Sequence, residues 1–284
     1  MPRALAFLAL LALTAQAAPP YSTDVSKWAE VPIPSHKNEV EYQLWYYASN
    51  YSRLEWRVFE RDGAPHAKLV VDATPEPKER PGFIPVAGEF RGESAYCAFA
   101  RVDDGWLVGF NKGEFGAALY WFSADGKRNY KISDHQVWQF FHLPDGVYAV
   151  EGLAHLTMNE GSLIRITRAD SRSHWQARTV VRLPAAPQAG SVMSDGTLIL
   201  ALHDALVRID RNHTVHTLLA HSPWESLYPN SSILVDHEQK LYLGMRQYVA
   251  EFDLRTRKLR FLVPSPRFMN KLPRKREQEI RNGH

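Results

Sequence analysis

Short apolar runs separated by tight turns dominate the chain, and residues 190–221 show this pattern most completely. Residues 197–202 and 205–210 are apolar runs of strand length, and a third run follows at residues 213–220. Runs of four to eight residues bounded by Asp-Gly or Asn turns predict antiparallel strands joined by hairpins. The second run is apolar at four of its six positions, three of them consecutive, which predicts that both faces of this strand are covered.

The same unit recurs along the chain. An Asp-Gly turn or its equivalent precedes an apolar run four times, and the residues in the glycine position are separated by 41, 50 and 43 positions. These residues are Gly105, Gly146, Gly196 and Gln239. A repeat of this length with about four strands per unit is typical of a β-propeller. We therefore predict an all-β fold, a β-propeller of four-stranded blades.

Two repeated phrases carry a resemblance to known proteins. Residues 94–263 resemble the tandem blades of bacterial β-propellers through variants of Asp-Gly-x-Leu-x-Val and Leu-x-Arg-Ile-Asp, over about 60% of the chain. The resemblance implies a fold and no particular activity, because propellers host hydrolases, lyases, sugar binders and protein scaffolds.

The region before this repeat predicts a divergent blade. Residues 41–47, 53–60 and 66–71 have the composition of strands. The proline-containing stretch 73–92 predicts a long connection, which leaves room for one more strand pair around Phe83 to Phe90. Together these features predict five blades, with six as the alternative.

Both ends of the chain predict segments outside the propeller domain, which we place at residues 18–264. Residues 1–17 carry one arginine, an apolar run and the small-x-small sequence Ala15-Gln16-Ala17, as a cleavable signal peptide does. We therefore expect a periplasmic or secreted protein, cut near Ala17, with no transmembrane segment in the mature chain. Residues 265–284 form a basic tail. Such a run usually indicates a solvated end, and contact with an anionic envelope surface is the alternative.

The composition fits one soluble globular domain. Hydrophobic residues make up 45% of the chain, enough for a sizeable core. Cys97 is the only cysteine, so an intramolecular disulfide is excluded and a buried, inert thiol is expected. An exported protein does not normally meet nucleic acid, so no nucleic-acid role is expected. The sequence contains no nucleophile elbow, no phosphate-binding glycine loop and no His-Glu-x-x-His motif.

Candidate binding residues lie in loops on one face of the predicted propeller. The connection between the second and third strands of each blade emerges on the same face as the links between blades, and binding residues concentrate in loops of rigid scaffolds. Trp, Tyr and Arg dominate binding energy at interfaces, so we expect Trp224 and Tyr228 to be exposed contributors. The predicted binding residues are Lys112, Glu114, His135, His155, His203, Asp204, Trp224, Glu225, Tyr228, Asn230, Arg246 and Tyr248.

These loops predict a binding module for a protein, peptide or glycan, with no cofactor. The alternative function is a metal-assisted hydrolase or lyase with a site in the central pocket. Three histidines at equivalent levels of successive blades would hold the divalent metal, with Asp204 or Glu160 completing the site. The three are His135, His155 and His203.

A second, fainter resemblance concerns the same alternative. Glu151-Gly152 resembles the Glu-Gly start of gluconolactonase-like propellers, in which the glutamate binds a metal. In this chain Leu153-Ala154-His155 stands where that family has a proline and an aromatic residue.

Overall fold

Antiparallel strands form most of the structure, a computed structural model that describes residues 20–35, 37–71, 79–92 and 95–283. Within these ranges, four runs of four consecutive strands follow one another from residue 96 to residue 263. The strands of each run are hydrogen-bonded in chain order within one sheet, as expected for strands joined by hairpins, and residues 29–31 add a fifth strand to the sheet of the last run. We call these sheets blades 1 to 4.

The elements before the blades are, in chain order, β1 (Ala29–Val31), α1 (Glu39–Asn50), β2 (Glu55–Arg61), β3 (Ala64–Val70), β4 (Val86–Ala87) and β5 (Phe90–Arg91). Blade 1 consists of β6 (Tyr96–Val102), β7 (Gly105–Asn111), β8 (Ala117–Ser123) and β9 (Asn129–Ser133). Blade 2 consists of β10 (Val137–Leu143), β11 (Gly146–His155), β12 (Met158–Thr167) and β13 (Gln176–Leu183). Blade 3 consists of β14 (Pro187–Val192), β15 (Leu198–Leu202), β16 (Ala205–Ile209) and β17 (Val215–Ala220). Blade 4 consists of β18 (Ser231–Val235), β19 (Lys240–Gly244), β20 (Val249–Asp253) and β21 (Leu259–Val263), and α2 (Arg274–Arg281) follows it.

The blades pack face to face around their first strands. β6 lies next to β10, β10 next to β14, β14 next to β18, and β18 next to β2. Leu107, Val137 and Ile164 are buried between blades 1 and 2, and Leu200 and Val207 lie in the core between blades 2 and 3. The central strands are therefore covered on both faces. This packing confirms the predicted all-β fold with propeller blades.

A steric constraint explains why glycine occupies this position of the repeat. At Gly105 φ is +157°, and a Cβ added there would lie 2.0 Å from the carbonyl oxygen of Phe122. In blade 4, Gln239 takes this position with φ at +56°. Its side-chain Nε2 donates to the carbonyl oxygen of Asp236 at 2.7 Å. The Gln239 backbone amide donates to the same oxygen at 3.1 Å, so the turn forms without glycine.

Two hairpins lie between blade 4 and blade 1. β2 pairs with β3, and Trp56 and Val58 of this hairpin pack on blade 4. β4 pairs with β5, and Ala87 and Phe90 pack on blade 1. The strands predicted near residues 53–60 and 66–71, and the extra strand pair, are confirmed. The count of five blades, with six as the alternative, stays a prediction.

The strand predicted at residues 41–47 is wrong, because this segment lies in helix α1. The side chain of Asn38 accepts a hydrogen bond from the Glu41 amide, which caps the helix at its start. Trp45 and Ser49, four residues apart, are the buried positions of the helix. That spacing places both on one helical face, so the aromatic residues that favour a strand here serve a helix.

The C-terminal segment, predicted to be a solvated tail, has mostly exposed basic residues but is held against α1 in the described residues. Asn270 Nδ2 donates to the carbonyl oxygen of Ala48 at 2.7 Å, which holds the segment beside α1. Helix α2 buries Ile280, and its Arg281 donates to Glu41 at 3.0 Å. The basic segment therefore folds back onto α1. The domain boundary at residue 264 stays a prediction.

Three further expectations concern export and the cysteine. No helix in the described ranges has the length and apolar character needed to cross a membrane. The signal peptide predicted at residues 1–17 lies outside the described residues, so export stays a prediction. Cys97 is buried on β6 as expected, and burial raises the pKa of its thiol to about 11, which keeps it protonated and unreactive near neutral pH.

Candidate functional site

Loops of neighbouring blades meet on the face predicted to bind. We call this face, formed by the connections between the second and third strands of each blade and by the links between blades, the loop face. His155 Nε2 lies 2.5 Å from Glu114 Oε2, which joins the loops of blades 1 and 2. His203 Nε2 lies 3.6 Å from Glu225 Oε1, which joins a loop of blade 3 to the link that follows it. Predicted residues therefore meet in pairs.

The pair of Glu114 and His155 stands beside three exposed apolar side chains. Phe115 is 76% exposed, Leu156 is 92% exposed and Met158 is 48% exposed. Phe115 follows Glu114 in a short 3₁₀ turn, and Met158 is paired with His155 at the end of the β11–β12 hairpin. We call Phe115, Leu156 and Met158 the Leu156 patch. The Leu156 patch was not predicted from the sequence, although apolar residues in the loops between predicted strands could have indicated it.

Leu156 has an unusual backbone conformation. It sits at the tip of the hairpin with φ at +53°, in the left-handed region. A leucine side chain clashes there with the following carbonyl oxygen, whereas glycine, asparagine and aspartate tolerate the region. The chain therefore presents a fully apolar side chain to solvent at a position where leucine is unfavourable.

Trp224 is not exposed, so the expectation of an exposed aromatic at this position is wrong. Its side chain is 0% exposed within the core formed by α1 and blades 3 and 4. Its Nε1 donates to the carbonyl oxygen of Leu202 at 3.0 Å. The indole therefore anchors the link to the core, and a partner on the surface would not reach it.

Tyr248 is also a core residue. Its hydroxyl lies 2.9 Å from Ser49 Oγ, and its ring stacks on Trp45 at 6.2 Å. Burial raises its pKa. Asn230 is buried as well, and its Oδ1 accepts a hydrogen bond from Ser231 Oγ at 2.9 Å. These two predicted binding residues therefore lie inside the fold rather than at an exposed surface.

Arg246 is held in a polar cluster next to α1. Its Nε donates to Glu55 Oε1 at 2.8 Å. Its Nη1 donates to both the backbone oxygen and Oδ1 of Asn50, each at 3.0 Å. The guanidinium also lies over the ring of Tyr228, 5.1 Å from the centroid. The contacts with Glu55 and Asn50 were beyond sequence reasoning, because nearly 200 positions separate these partners in the chain.

The remaining predicted residues make separate contacts. His135 Nδ1 lies 2.7 Å from Ser133 Oγ, and Lys112 Nζ lies 5.7 Å from the centroid of the Phe90 ring. The backbone oxygen of Asp204 accepts a hydrogen bond from the Ser222 amide at 2.8 Å. Within the described ranges, no three His, Cys, Asp or Glu side chains are grouped as metal ligands would be.

The glutamate of the second resemblance is engaged within the protein. Glu151 Oε1 accepts a hydrogen bond from Ser162 Oγ. Its Oε2 accepts one from the Gln136 amide at 3.3 Å. The Glu151 carboxylate thus joins the link between blades 1 and 2 to strand β11.

An open cavity lies on the opposite face, which carries the turns between the first and second strands. We call it the turn face. The cavity has a volume of about 590 Å³ and is lined by Glu60, Gly63, Ser194, Leu234, Val235, Asp236, His237 and Gln239. Asp236 is already bonded to the Ser194 amide at 3.3 Å and to Gln239 Nε2 at 2.9 Å. None of the predicted binding residues lines this cavity.

Comparisons with known proteins give low-level structural similarity. No protein-family model and no curated protein sequence matches the chain. Virginiamycin B lyase from Staphylococcus aureus has 14% identity and a TM-score of 0.42, over 61% of this chain and 57% of the lyase. A puromycin hydrolase has 16% identity and a TM-score of 0.41, over 74% of this chain and 38% of the hydrolase. The extracellular domain of the two component system BT3049 from B. thetaiotaomicron has 14% identity and a TM-score of 0.36, over 74% and 28%. The chain thus spans less than two thirds of each of these proteins, and the fold assignment rests on the blades themselves.

Proposed function

We propose that the protein is an exported binding module that holds a protein partner against its loop face, with the Leu156 patch as the central contact. The observation that carries this proposal is the conformation and exposure of Leu156. The side chain is almost completely exposed, and its φ of +53° is unfavourable for leucine. A left-handed residue with a Cβ costs roughly 1–2 kcal/mol.

The fold gains little from Leu156, because an exposed side chain contributes little to the core. An apolar residue that is both exposed and strained therefore indicates a role outside folding. Binding is such a role, since an apolar patch rimmed by polar groups is typical of a protein interaction site. The polar rim in this structure is the pair of Glu114 and His155, whose side chains lie 2.5 Å apart and join the two loops.

A protein partner fits this patch better than a small molecule does. Phe115 and Leu156 protrude from the surface at the ends of loops, so they suit insertion into a partner's pocket. Aromatic and methionine side chains are enriched at protein interfaces, where a few such contacts supply most of the binding energy. The loops come from a rigid sheet scaffold, which limits the entropy lost on binding.

The test replaces Leu156 by asparagine. Asparagine accepts the left-handed conformation, so the free energy of unfolding of Leu156→Asn should be unchanged or raised by up to about 1 kcal/mol. Removal of the apolar contact should lower the amount of partner captured from the native host, relative to the unsubstituted chain, at least tenfold. Urea unfolding and quantitative affinity purification with the full chain measure the two effects.

The matched control is Val192→Asn. Val192 is also an exposed apolar residue, but it ends β14 on the turn face. The same chemical change there should leave partner capture unchanged. Equal capture by the Leu156→Asn variant and the unsubstituted chain would contradict the proposed function.

A further inference from the structure

The polar cluster around Arg246 forms a second feature of the loop face, separate from the Leu156 patch. We infer that this cluster, with Tyr228 beside it, is a binding site for a neutral carbohydrate. The site consists of Tyr228, Arg246, Glu55 and Asn50, and Tyr51 follows Asn50 in the chain. It does not rest on the proposed protein partner.

Arg246 is fixed in place before any ligand arrives. Nε is bonded to Glu55, and Nη1 is bonded twice to Asn50. Within the described part of the chain, Nη2 has no hydrogen-bond partner. Because the other two nitrogens of the guanidinium are held, the two N–H groups of Nη2 point in a fixed direction. It is therefore a preformed hydrogen-bond donor.

The Tyr228 ring lies beside this donor, and a second exposed tyrosine, Tyr51, follows Asn50 in the chain. Tyr228 is 48% exposed and has φ at +51°, a conformation that is unfavourable for an aromatic residue. Tyr51 is 63% exposed and follows Asn50 directly at the end of α1. Its ring stacks on Tyr47 at 6.3 Å. As at Leu156, an exposed and strained residue points to a role outside folding.

The local charge selects a neutral ligand. The ion pair of Arg246 and Glu55 places one carboxylate 2.8 Å from the guanidinium, so the cationic charge is already compensated. A free anion would have to compete with that carboxylate. A neutral ligand that combines flat C–H surfaces with a rim of hydroxyl groups meets the Tyr228 ring and the polar side chains together. A pyranose ring has this combination.

The polar surroundings favour a sugar over a peptide. Peptides that dock on aromatic grooves bury proline or aliphatic side chains between the rings. Here the group beside the Tyr228 ring is the Arg246 guanidinium, which is hydrogen-bonded to the Glu55 carboxylate and to the Asn50 amide oxygen. These groups match hydroxyls that both donate and accept hydrogen bonds.

The test measures binding of named oligosaccharides to the full chain. Hexasaccharides of β-1,4-glucose, α-1,4-glucose, β-1,4-N-acetylglucosamine and β-1,4-mannose are titrated by calorimetry and by saturation-transfer NMR. We expect at least one of them to bind. Tyr228→Ala should lower its affinity at least tenfold, and Tyr228→Phe, which keeps the ring, should retain most of it.

Leu156→Asn separates this inference from the proposed function, because it should leave oligosaccharide affinity unchanged. Absence of binding by all four hexasaccharides would overturn the carbohydrate site. Equal oligosaccharide affinity of Tyr228→Ala and the unsubstituted chain would also overturn it, as would binding of a decaproline peptide instead of the hexasaccharides. Thermal melting of each variant checks that the fold is intact.

Discussion

At the scale of single residues, one loop shows two aromatic side chains with opposite roles. Trp224 is fully buried, and its indole nitrogen is bonded to the carbonyl oxygen of Leu202. Tyr228, four positions later, is about half exposed and contacts Arg246. The link between blades 3 and 4 is therefore anchored by the first aromatic residue and displays the second.

Truncation of Trp224 should destabilise the protein strongly. Trp224→Ala removes a large buried side chain and leaves a cavity, so we expect a loss of about 3–5 kcal/mol in the free energy of unfolding. Tyr228→Ala is the matched control in the same loop, and it should cost less than about 1 kcal/mol. Urea unfolding at equal protein concentration measures both. Similar losses for the two variants would contradict the burial of Trp224.

At the scale of elements, aspartates stabilise the turns that join the strands. Asp125 accepts a hydrogen bond from Ser123 Oγ at 2.7 Å, and this bond lowers the pKa of the carboxyl. Hydrogen bonds from the Arg172 amide to Asp170 and from the Thr256 amide to Asp253 lower the pKa of those carboxyls in the same way. Each of these bonds favours the ionised form of the carboxyl in the folded state.

This pattern predicts a loss of stability in acid. A carboxyl whose pKa is lowered in the folded state stabilises the fold at any pH above its ordinary pKa of about 3.9. This contribution is lost as the pH falls through the pKa of the folded state. The urea midpoint should therefore fall as the pH drops from 5 to 3. A variant carrying Asp125→Asn, Asp170→Asn and Asp253→Asn keeps an acceptor oxygen that does not titrate, so its midpoint should fall less. An acid dependence identical to that of the unsubstituted chain would contradict this account.

The elements also show which features the sequence pattern can predict. The strands of blades 1 to 4 were predictable because apolar runs and Asp-Gly turns are local signals. Helix α1 was not, because its tyrosines and tryptophan favour a strand by composition, while the contacts of Trp45 with Tyr248 and Phe261 are far away in the sequence.

The candidate site divides in the same way. Membership of the loop face followed from the repeat, whereas the pairing of Glu114 with His155 and of His203 with Glu225 is seen only in the structure. Exposure did not follow, because burial of Trp224 depends on how α1 and two blades fit together. Arg246 was predicted as a binding residue, whereas its partners Glu55 and Asn50 lie in a region that the repeat does not cover.

At the scale of the whole molecule, the two faces differ in the side chains that they leave exposed. On the turn face, Asp104 accepts hydrogen bonds from Nε1 of both Trp121 and Trp175 and from Arg168, so its polar groups are engaged within the fold. On the loop face, the apolar Leu156 and the aromatic Tyr228 are exposed in left-handed conformations, whereas on the turn face Asp62 and Arg257, which are also exposed and left-handed, are polar. This asymmetry makes the loop face the working surface in our account.

Site-specific photo-crosslinking in the native host tests this claim most directly. A photoreactive amino acid replaces Leu156, Phe115 or, as turn-face controls, Val192 and Asn212, one position at a time in the full chain. Our account predicts a discrete protein adduct from positions 156 and 115 and none from positions 192 and 212. Adducts from the turn-face positions alone, or from none of the four, would contradict the placement of the binding surface.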